Sequence, residues 1–470
     1  MQVLFPVLAP LRNRIARVAS RGGTAVHWKA ITAINASKVK AGVAEGVRNA
    51  VVSSAVGILA VVALLVAACT SAGAPTAPST STPTSASPTG LPTADPWAED
   101  LNQLDSMVRA HHPAPFTIHT EAEWKAKLAE IRPKLAAAGP DERLVLVASL
   151  VGLLDTHSWI GQDAGFHLYE VFFYKFSDGW FVIAAKDQSL IGSRLVSIGG
   201  HAVNEVEATL RAIIPHDNES GFLDNGDALS KVEYLHGTGI VTDPARPRYV
   251  LQRPDGTQTT VDFAAVSEQT WVDELGVVGD LIGAAPEAVA RRGELVWTRL
   301  DARHKVFLIS VNDYGDTTGA VAAMTAALDA GTANRVVLDV RYLRGGNGDF
   351  NMHTALQAER RVNRPGGLTV LIGRENVSFG TEVAWEFDVH TKALLVGEPT
   401  PARADNFTCD CFDIHLAHAG IVVTVPQNVA NNGDARPAVI PDVTMTLSSV
   451  DFFAGRDPVL DAALGGIGAP

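Results

Sequence analysis

The residues of this chain best suited to chemistry are one serine and a pair of glycines. Ser378 lies in the string NVSFGTEVAWEF, and Gly345-Gly346 lie about thirty residues earlier, in RVVLDVRYLRGGNGD. A serine that opens a helix after an apolar strand is well placed as a nucleophile, and a diglycine after another strand leaves backbone N–H groups free for an oxyanion. Acyl transfer needs both parts. Taken alone, each pattern is more typical of turn chemistry, and Ser378 is also a good N-cap for the helix.

A serine hydroxyl needs a base, and His157 is the candidate among the 14 histidines. It ends the apolar segment PDERLVLVASLVGLLDTH, which predicts a buried helix, and it precedes a strand-like segment. An imidazole at such a boundary has a proton affinity in the working range of an enzyme. A histidine at a helix C-terminus more commonly interacts with the helix dipole, and the sequence leaves both interpretations open.

The composition is that of a globular protein. The chain has 470 residues, of which 47% are hydrophobic and 7% aromatic, and this length allows two or three domains. The formal net charge is −13, so we expect no nucleic-acid partner, because phosphate binding requires a basic surface. Besides Cys69 the sequence contains only Cys409 and Cys411, and no nearby Cys or His pair completes a tetrahedral metal site. We therefore expect no metal at these cysteines, which form either a local disulfide or two buried thiols.

The first part of the chain has the features of an export signal. Residues 1–50 carry eight basic residues and one acidic residue, and the uncharged segment 50–68 follows. Small residues precede Cys69, as in a bacterial lipobox, where the cysteine is lipidated and becomes the mature N-terminus. A membrane span is the alternative. We therefore expect a signal at 1–68, a disordered Ser/Thr/Pro-rich tether at 69–96, and a lipid anchor at Cys69 on the extracytoplasmic face of the cell membrane.

Three segments with different patterns follow the tether. Residues 97–160 have apolar residues at helical spacing, which predicts a helical subdomain. Residues 165–265 contain aromatic and β-branched runs and an Asp255-Gly256 turn, which predict a small β-rich module with one or two helices. Within residues 285–465, strands at 305–311, 335–340, 368–373, 393–397 and 421–425 alternate with helices after Thr317, Asp349 and Ser378. This alternation predicts an α/β core with a largely parallel sheet.

Several strings, in this order, resemble the tail-specific protease family, also called the C-terminal processing peptidases, in the branch nearest the tricorn-type serine peptidases. They are HHPAPF, LLDTHSWI, GWFVIAAKDQSLIGSRLVSIGG, RVVLDVRYLRGGNGD, NVSFGTE, LLVGEPT, IPDV and GRDPVLDAAL, and they span nearly the whole chain after the tether. The resemblance implies an α/β multidomain fold with a helical N-terminal subdomain, a PDZ-like module at 165–265 and a crotonase-like peptidase core at 285–465. It also implies a serine-type peptidase that needs no cofactor.

The resemblance assigns roles to individual residues. Ser378 falls at the nucleophile, His157 at the general base, and Gly345 or Gly346 with the backbone N–H of Phe379 at the oxyanion hole. Arg403 stands where one branch of the family has a lysine base. Because arginine stays protonated, a Ser–Lys dyad is excluded, and a Ser–His arrangement remains.

Two further sets of residues complete the expected site. A third catalytic member should orient the imidazole or the serine, and Asp434, near the family's late acidic position, is preferred to Glu382 for this role. Asp339 and Arg341 lie at the strand end before the diglycine. We expect them to form a structural ion pair that supports the diglycine loop.

The expected protein is a membrane-tethered, extracytoplasmic serine peptidase that hydrolyses the unstructured ends of polypeptides. The alternative is a catalytically inactive peptidase homologue that binds peptides or cell-wall components. This alternative is motivated by Arg403, and by Asn376 and Val377, which stand where the family usually has a threonine before the serine. A hydrolase of small esters or amides would use the same residues and differ in the shape of its pocket.

Overall fold

The computed structural model of the protein describes residues 95–275, 285–346 and 351–466. The expected export segment 1–68, Cys69 and nearly all of the tether 69–96 lie outside the described residues. None of the helices in the three described ranges is long and apolar enough to cross a membrane.

Within these ranges the helices are α1 Pro96–His111, α2 Glu121–Ile131, α3 Pro140–Val151, α4 Val203–Arg211, α5 Glu219–Leu223, α6 Val232–Gly237, α7 Glu268–Leu275, α8 Glu287–Ala290, α9 Thr318–Asp329, α10 Asn351–Ala358, α11 Phe379–His390, α12 Ser449–Phe453 and α13 Pro458–Gly465. The strands are β1 Trp159–Gln162, β2 His167–Tyr169, β3 Val171–Phe176, β4 Gly179–Ala185, β5 Arg194–Ile198, β6 His201–Ala202, β7 Tyr249–Gln252, β8 Gln258–Val261, β9 Ala265–Ser267, β10 Val296–Asp301, β11 Val306–Val311, β12 Arg335–Asp339, β13 Leu368–Ile372, β14 Leu394–Gly397, β15 Phe407–Thr408, β16 Phe412–Leu416, β17 Ile421–Val425, β18 Asn428–Val429 and β19 Val443–Thr444.

The first three helices confirm the predicted helical segment. The carboxylate of Asp95 accepts the N–H of Trp97 and caps α1, whereas α2 begins with a capping box formed by Thr120 and Glu123. Helix α3 buries one side more than the other and ends at Val151, earlier than the predicted end at residues 155–157. Turns lead from there to the segment that contains His157.

The β-rich segment forms an antiparallel sheet in the order β3-β4-β5-β7-β8, with β6 paired to β5. Strands β7 and β8 form the predicted hairpin, and Gly256 at its turn has a φ of 86°, which glycine adopts readily. The segment also contains α4, α5 and α6, so it has more helix than the one or two helices expected from its sequence.

The last segment contains the predicted parallel sheet. Its order is β10-β11-β12-β13-β14-β19, with β10 antiparallel to β11 and the remaining neighbours parallel. Helices α9, α10 and α11 connect successive parallel strands, and their apolar side chains share one core with one face of the sheet. Helix α13 covers the other face.

One predicted strand of the parallel sheet lies elsewhere. The segment 421–425 forms β17, which pairs antiparallel with β1 and with β16, so the expectation that it belongs to the parallel sheet is wrong. Strand β17 is buried along its whole length because it lies between these two partners. Since β1 begins two residues after His157, this pairing ties the His157 segment to the C-terminal part of the chain.

The two remaining cysteines lie in the loop between β15 and β16 and not on a strand. Cys409 and Cys411 form a disulfide in the structure. Cys409 is exposed and Cys411 is half-buried, so the alternative of two buried thiols is wrong.

Candidate active site

Ser378 lies in a strained turn between β13 and α11. Its φ is 57° and its ψ is −126°, a backbone conformation that residues with a side chain rarely adopt. The serine stands at the N-cap position of α11, yet its side chain makes no capping hydrogen bond within the described chain. The capping interpretation is therefore not realised. A sharp strand-to-helix turn with a strained serine at its apex is the geometry that presents a nucleophile.

Asn376 holds this turn in place. Its Oδ1 accepts the N–H of Gly373 (2.7 Å), and its Nδ2 donates to the carbonyl of Leu343 (3.0 Å) and to that of Val340. The Thr381 hydroxyl donates to the carbonyl of Asn376. Asn376 is fully buried, so its amide serves as a rigid connection between the loop after β13 and the loop after β12.

The diglycine loop lies directly against Ser378. A Cβ atom added to Gly345 would clash with Ser378 Cβ and lie 3.1 Å from Ser378 Oγ. A Cβ on Gly346 would lie 2.8 Å from the ring of Tyr314, which is too close for a real contact. Strands β12 and β13 are parallel neighbours, so the loops at their carboxyl ends meet at one edge of the sheet, where α/β proteins commonly bind ligands.

Phe379 completes the group of backbone donors around the serine. It is the first residue of α11, and the N–H of a first helical residue has no acceptor within its own helix. The N-terminus of a helix also favours negative charge. The Phe379 side chain packs on Tyr314, with ring centroids 5.3 Å apart. The three predicted oxyanion residues, Gly345, Gly346 and Phe379, are therefore close to Ser378.

His157 lies in the turn that leads from α3 into β1. It is 4% exposed, and neither Nδ1 nor Nε2 has a hydrogen-bond partner among the described residues. Because α3 ends at Val151, His157 is not at a helix C-terminus, and the helix-dipole interpretation is wrong. A buried imidazole with both nitrogens unpaired is unusual, since most buried polar groups are hydrogen-bonded.

The carboxylate of Asp155 fixes the backbone of the His157 turn, and not the imidazole. Its Oδ1 accepts the backbone N–H of His157 (2.8 Å), and the hydroxyl of Ser158 donates to Oδ2 (3.1 Å). Oδ2 also lies 2.6 Å from Nε2 of His112. The N–H of Ala114 donates to Nδ1 of His112, so the His112 proton is on Nε2 and is donated to Asp155.

The electrostatics of this turn leave His157 neutral at pH 7. Burial lowers the pKa of His157 to about 4, although the nearby Asp155 carboxylate acts in the opposite direction. Burial also acts to raise the pKa of Asp155, but the hydrogen bond from His112 and the neighbouring charges hold that pKa below its usual range. A neutral imidazole is the protonation state that a general base requires.

The two acidic candidates for a third catalytic member have other partners. The guanidinium of Arg436 donates to Asp434, as does the indole of Trp385 (3.0 Å), and these contacts lower the pKa of Asp434 to about 2. Nδ2 of Asn406 donates to Glu382 (3.2 Å), and burial raises the pKa of Glu382. Neither carboxylate is hydrogen-bonded to the imidazole of His157.

The remaining predicted residues support neighbouring loops. Asp339 and Arg341 form a buried ion pair with an N–O separation of 2.7 Å, and Arg341 also contacts Asp457 at 2.6 Å. The Arg403 side chain lies near the ring of Phe407, with its guanidinium carbon 5.6 Å from the centroid. Arg403 binds Asp217 through its backbone N–H (2.7 Å).

One cavity of about 130 Å3 is lined by sequence neighbours of the predicted base His157, the predicted nucleophile Ser378 and the predicted oxyanion residue Gly345. Its lining includes Thr156 and Ser158 on either side of His157, Val377 before Ser378, and Arg344 before Gly345. The rest of the wall is mixed: apolar and aromatic side chains alternate with the polar and charged side chains of Asp224, Asn225, Asp227, Lys231 and Glu268. Clusters of His, Cys, Asp and Glu that could hold a metal ion do not occur in the described ranges.

Sequence reasoning missed the roles of His112 and Asp155. Both lie in strings that carry the family resemblance, HHPAPF and LLDTHSWI, so a signal was present. Their partnership could not be read from the sequence, because it joins the end of α1 to the turn after α3. Asp217 is a third residue near the His157 turn that carried no sequence signal.

No family model matches this sequence, and no curated protein matches it. Solved structures do match. Mature CPAF superposes with a TM-score of 0.55 at 16% identity, over 78% of this chain and 96% of that chain. Mature CPAF complexed with lactacystin superposes with a TM-score of 0.56 at 15% identity, over 78% of this chain and 97% of that chain. The photosystem II D1 C-terminal processing protease superposes with a TM-score of only 0.37 at 14% identity, over 80% of this chain and 99% of that chain.

These comparisons establish a fold. The matched length covers most of this chain and nearly all of CPAF, so the likeness extends across the helical, β-rich and α/β segments together. The chain therefore has a mixed α/β, multidomain fold similar to that of CPAF.

Proposed function

We propose that this protein is a serine peptidase in which Ser378 is the nucleophile and His157 the general base. The observation that carries the proposal is the strained Ser378 turn in direct contact with Gly345. Strain at a residue with a side chain persists only where the surroundings enforce it, and it is concentrated at functional sites.

The chemistry follows from the groups around the serine. Ser378 Oγ forms a bond to the carbonyl carbon of the scissile peptide, and its proton passes to a ring nitrogen of His157. The carbonyl oxygen becomes an anion, which the N–H groups of Phe379 and of Gly345 or Gly346 bind. The C–N bond then breaks as His157 returns the proton to the leaving amine. Water hydrolyses the acyl-enzyme by the same steps.

The state of His157 supports its role as the base. Its ring nitrogens have no partner in the described chain that must first be displaced, and its low pKa keeps it neutral. Chain neighbours of His157 and of Ser378 line the same cavity. Catalytic hydrogen bonds are often long in unliganded enzymes and tighten when substrate binds.

For the third member, the contacts favour Glu382 over Asp434. Glu382 lies four residues after Ser378, in the first turn of α11. Asp434 is neutralised by Arg436, whereas Glu382 has a neutral amide, that of Asn406, as its hydrogen-bond donor. This assignment reverses the preference drawn from the sequence.

The substrate class and location complete the proposal. A peptidase fold implies polypeptide substrates, and we propose that unstructured chain ends reach the site through the β-rich module acting as a PDZ-like domain. The sheet of the last segment would be the crotonase-like core. The lipid anchor at Cys69 and the extracytoplasmic location are part of the same proposal. Incorporation of a labelled fatty acid into the full chain, abolished in Cys69→Ala, would test them.

A fluorophosphonate probe tests the active site, because it reacts with an activated serine. Wild type should be labelled, Ser378→Ala should not, and His157→Gln should be labelled at least about 1,000-fold more slowly. The rate of cleavage of denatured casein should likewise be highest in wild type, strongly reduced in His157→Gln and absent in Ser378→Ala. Labelling of Ser378→Ala equal to that of wild type would overturn the assignment.

The alternative of an inactive, peptide-binding homologue makes the opposite prediction. It requires that denatured protein binds while neither the probe nor lactacystin reacts with the chain. Lactacystin is a useful second reagent, because CPAF has been solved in complex with it. A hydrolase of small esters would be labelled by the probe, and would cleave a nitrophenyl ester but not casein.

A further inference from the structure

Asp217 connects two loops that flank the candidate site. It lies in the segment between α4 and α5. Its Oδ1 accepts the backbone N–H of Thr156 (3.0 Å), and its Oδ2 accepts the backbone N–H of Arg403 (2.7 Å). Its own N–H donates to the Thr156 hydroxyl (2.9 Å), and that hydroxyl donates to the carbonyl of Pro401 (3.0 Å). These four residues are called the Asp217 latch below.

The latch acts on the position of His157 through the backbone. Thr156 is the residue between Asp155 and His157, and its N–H and hydroxyl are both used by the latch. The imidazole of His157 has no hydrogen bond of its own within the described chain. Its placement therefore depends on the packing around it and on the backbone of residues 155–157, which is held by Asp155 from one side and by Asp217 from the other.

Neighbouring contacts show that this is a close, specific junction. The Asn218 amide donates to the carbonyls of Thr400 (3.1 Å) and Pro437 (2.8 Å). A Cβ atom on Gly221 would lie 2.6 Å from the carbonyl oxygen of Pro401, so the segment has no space for a side chain there. The segment after α4 thus bridges the turn before β1 and the loop after β14.

The carboxylate of Asp217 is in an unusual electrostatic environment. Burial and the charge of Asp155 raise the pKa of Asp217 to about 7, although the N–H donors and the charge of Arg403 act against this. The titratable groups around it are Asp155, His112 and His157 on the side of the His157 turn, Arg403 on the loop after β14, and His216 and Glu219 on its own segment. An ionised carboxylate accepts both N–H groups well. A protonated one has a hydroxyl on one oxygen, so one of the two hydrogen bonds is weakened.

We propose that Asp217 is a positioning residue for the Ser378–His157 reaction: its ionised carboxylate holds the Thr156 turn against the loop after β14 and so keeps the His157 imidazole in place. The inference rests on the proposed function. It adds a consequence that the catalytic residues alone do not predict, which is a rise in serine reactivity as Asp217 loses its proton.

The test compares two aspartates that each connect separate elements by accepting two backbone N–H groups. Asp217→Asn keeps the shape of the side chain but leaves one N–H group facing an amide nitrogen. Asp100→Asn is the matched control, because Asp100 also accepts two backbone N–H groups, those of His418 (3.4 Å) and Ala419 (2.9 Å). These bonds join α1 to the turn between β16 and β17. Both variants are made in the full chain, and fluorophosphonate labelling rates and melting temperatures are measured from pH 5 to pH 9.

The expected result has three parts. At pH 8, Asp217→Asn is labelled about 100-fold more slowly than wild type, since small displacements of a catalytic group have effects of this size. The rise in the wild-type labelling rate through pH 7 is absent in Asp217→Asn and retained in Asp100→Asn. The melting temperature of Asp217→Asn at pH 8 stays close to that of wild type, because the removal of a desolvated charge offsets the loss of one hydrogen bond.

Separate outcomes overturn the inference and the proposed function. If wild type is labelled at Ser378 and Asp217→Asn keeps both the wild-type rate and the rise through pH 7, the positioning role is wrong and the peptidase assignment stands. If wild type is not labelled at all, both fail. Should Asp217→Asn not fold, Thr156→Val removes the hydroxyl of the latch and keeps its shape. A labelling rate unchanged in Thr156→Val would then overturn the inference, and a drop of about tenfold would support it.

Discussion

Gly345 and Ser378 are in direct contact although they lie in different loops. A side chain at position 345 would overlap Ser378 Cβ and lie 3.1 Å from the hydroxyl oxygen. The two loops follow parallel neighbouring strands, and the buried amide of Asn376 links them. The serine therefore lies against a glycine backbone that carries no side chain, which is the arrangement that an oxyanion site requires.

This contact predicts the effect of a single methyl group. Gly345→Ala should push the diglycine loop away from Ser378, because the clashing atom belongs to the serine turn itself and cannot rotate aside. The rate of fluorophosphonate labelling should fall about 100- to 1,000-fold, the effect of losing one oxyanion donor.

The control for this variant is Gly319→Ala on α9, where an added Cβ meets nothing within 4 Å. It should leave labelling unchanged and raise the free energy of unfolding by up to about 1 kcal/mol, because alanine favours helix more than glycine does. Equal labelling of wild type and Gly345→Ala would show that the loop does not form the oxyanion site.

The sequence was informative where local pattern decides the structure. Alternating strands and helices after residue 305 predicted the parallel sheet, and the carboxyl ends of neighbouring strands then brought the Gly345 and Ser378 loops together. The strain at Ser378 could not be read from the sequence, because it depends on the buried amide of Asn376 contacting a loop more than thirty residues away.

Long-range pairing limits sequence reasoning in a second way. The apolar run 421–425 has the same character as the strands of the parallel sheet, and burial on both faces satisfies it equally well between β1 and β16. Likewise, nothing local tells which carboxylate pairs with which histidine. Asp155 binds His112, far away in sequence, and the nearby His157 imidazole has no hydrogen-bond partner among the residues that the structure describes.

Substitution of His157 should abolish activity without lowering stability. His157→Phe removes two buried polar atoms that have no partner in the described chain and fills the space with an apolar ring. Its melting temperature should be equal to or higher than that of wild type, while the labelling rate of Ser378 falls at least about 1,000-fold. Calorimetry and probe labelling on the same preparation measure both quantities.

His112→Phe is the matched control, because His112 is equally buried but hydrogen-bonded. It leaves the buried Asp155 charge without its strongest donor, so the free energy of unfolding should fall by about 3–5 kcal/mol. A loss of stability in His157→Phe as large as that in His112→Phe would mean that His157 is an ordinary core residue.

His157 and Asp217 should make opposite contributions to the dependence of stability on pH. The pKa of His157 falls from its ordinary 6.5 to about 4, so the unfolded chain binds the extra proton between these values and stability is lost as the pH falls through them. The pKa of Asp217 rises from 3.8 to about 7, so here the folded chain binds the extra proton and stability is lost as the pH rises. Between about pH 4 and 6.5 the two contributions should largely cancel.

Single variants should reveal each contribution separately. On going from pH 4.5 to pH 6.5, His157→Phe should lose stability relative to wild type, because the opposing contribution of Asp217 remains. Asp217→Asn should gain stability relative to wild type over the same interval. Chemical denaturation at the two pH values measures these differences, and changes of the same sign in both variants would refute the two assignments.

The last prediction concerns the amide that holds the serine turn. Asn376→Ala leaves the N–H of Gly373 and the carbonyl of Leu343 without their side-chain partner in a buried place, while the carbonyl of Val340 keeps only the N–H of Leu343, so unfolding should require about 3 kcal/mol less. The turn can then relax, and the labelling rate of Ser378 should fall about tenfold or more. Asn363→Ala, which also removes a bridging amide, here between Gln357 on α10 and Lys392 after α11, should lower stability less and leave labelling intact. If Asn376→Ala retains wild-type labelling despite its lower stability, the strained geometry of Ser378 does not depend on this amide.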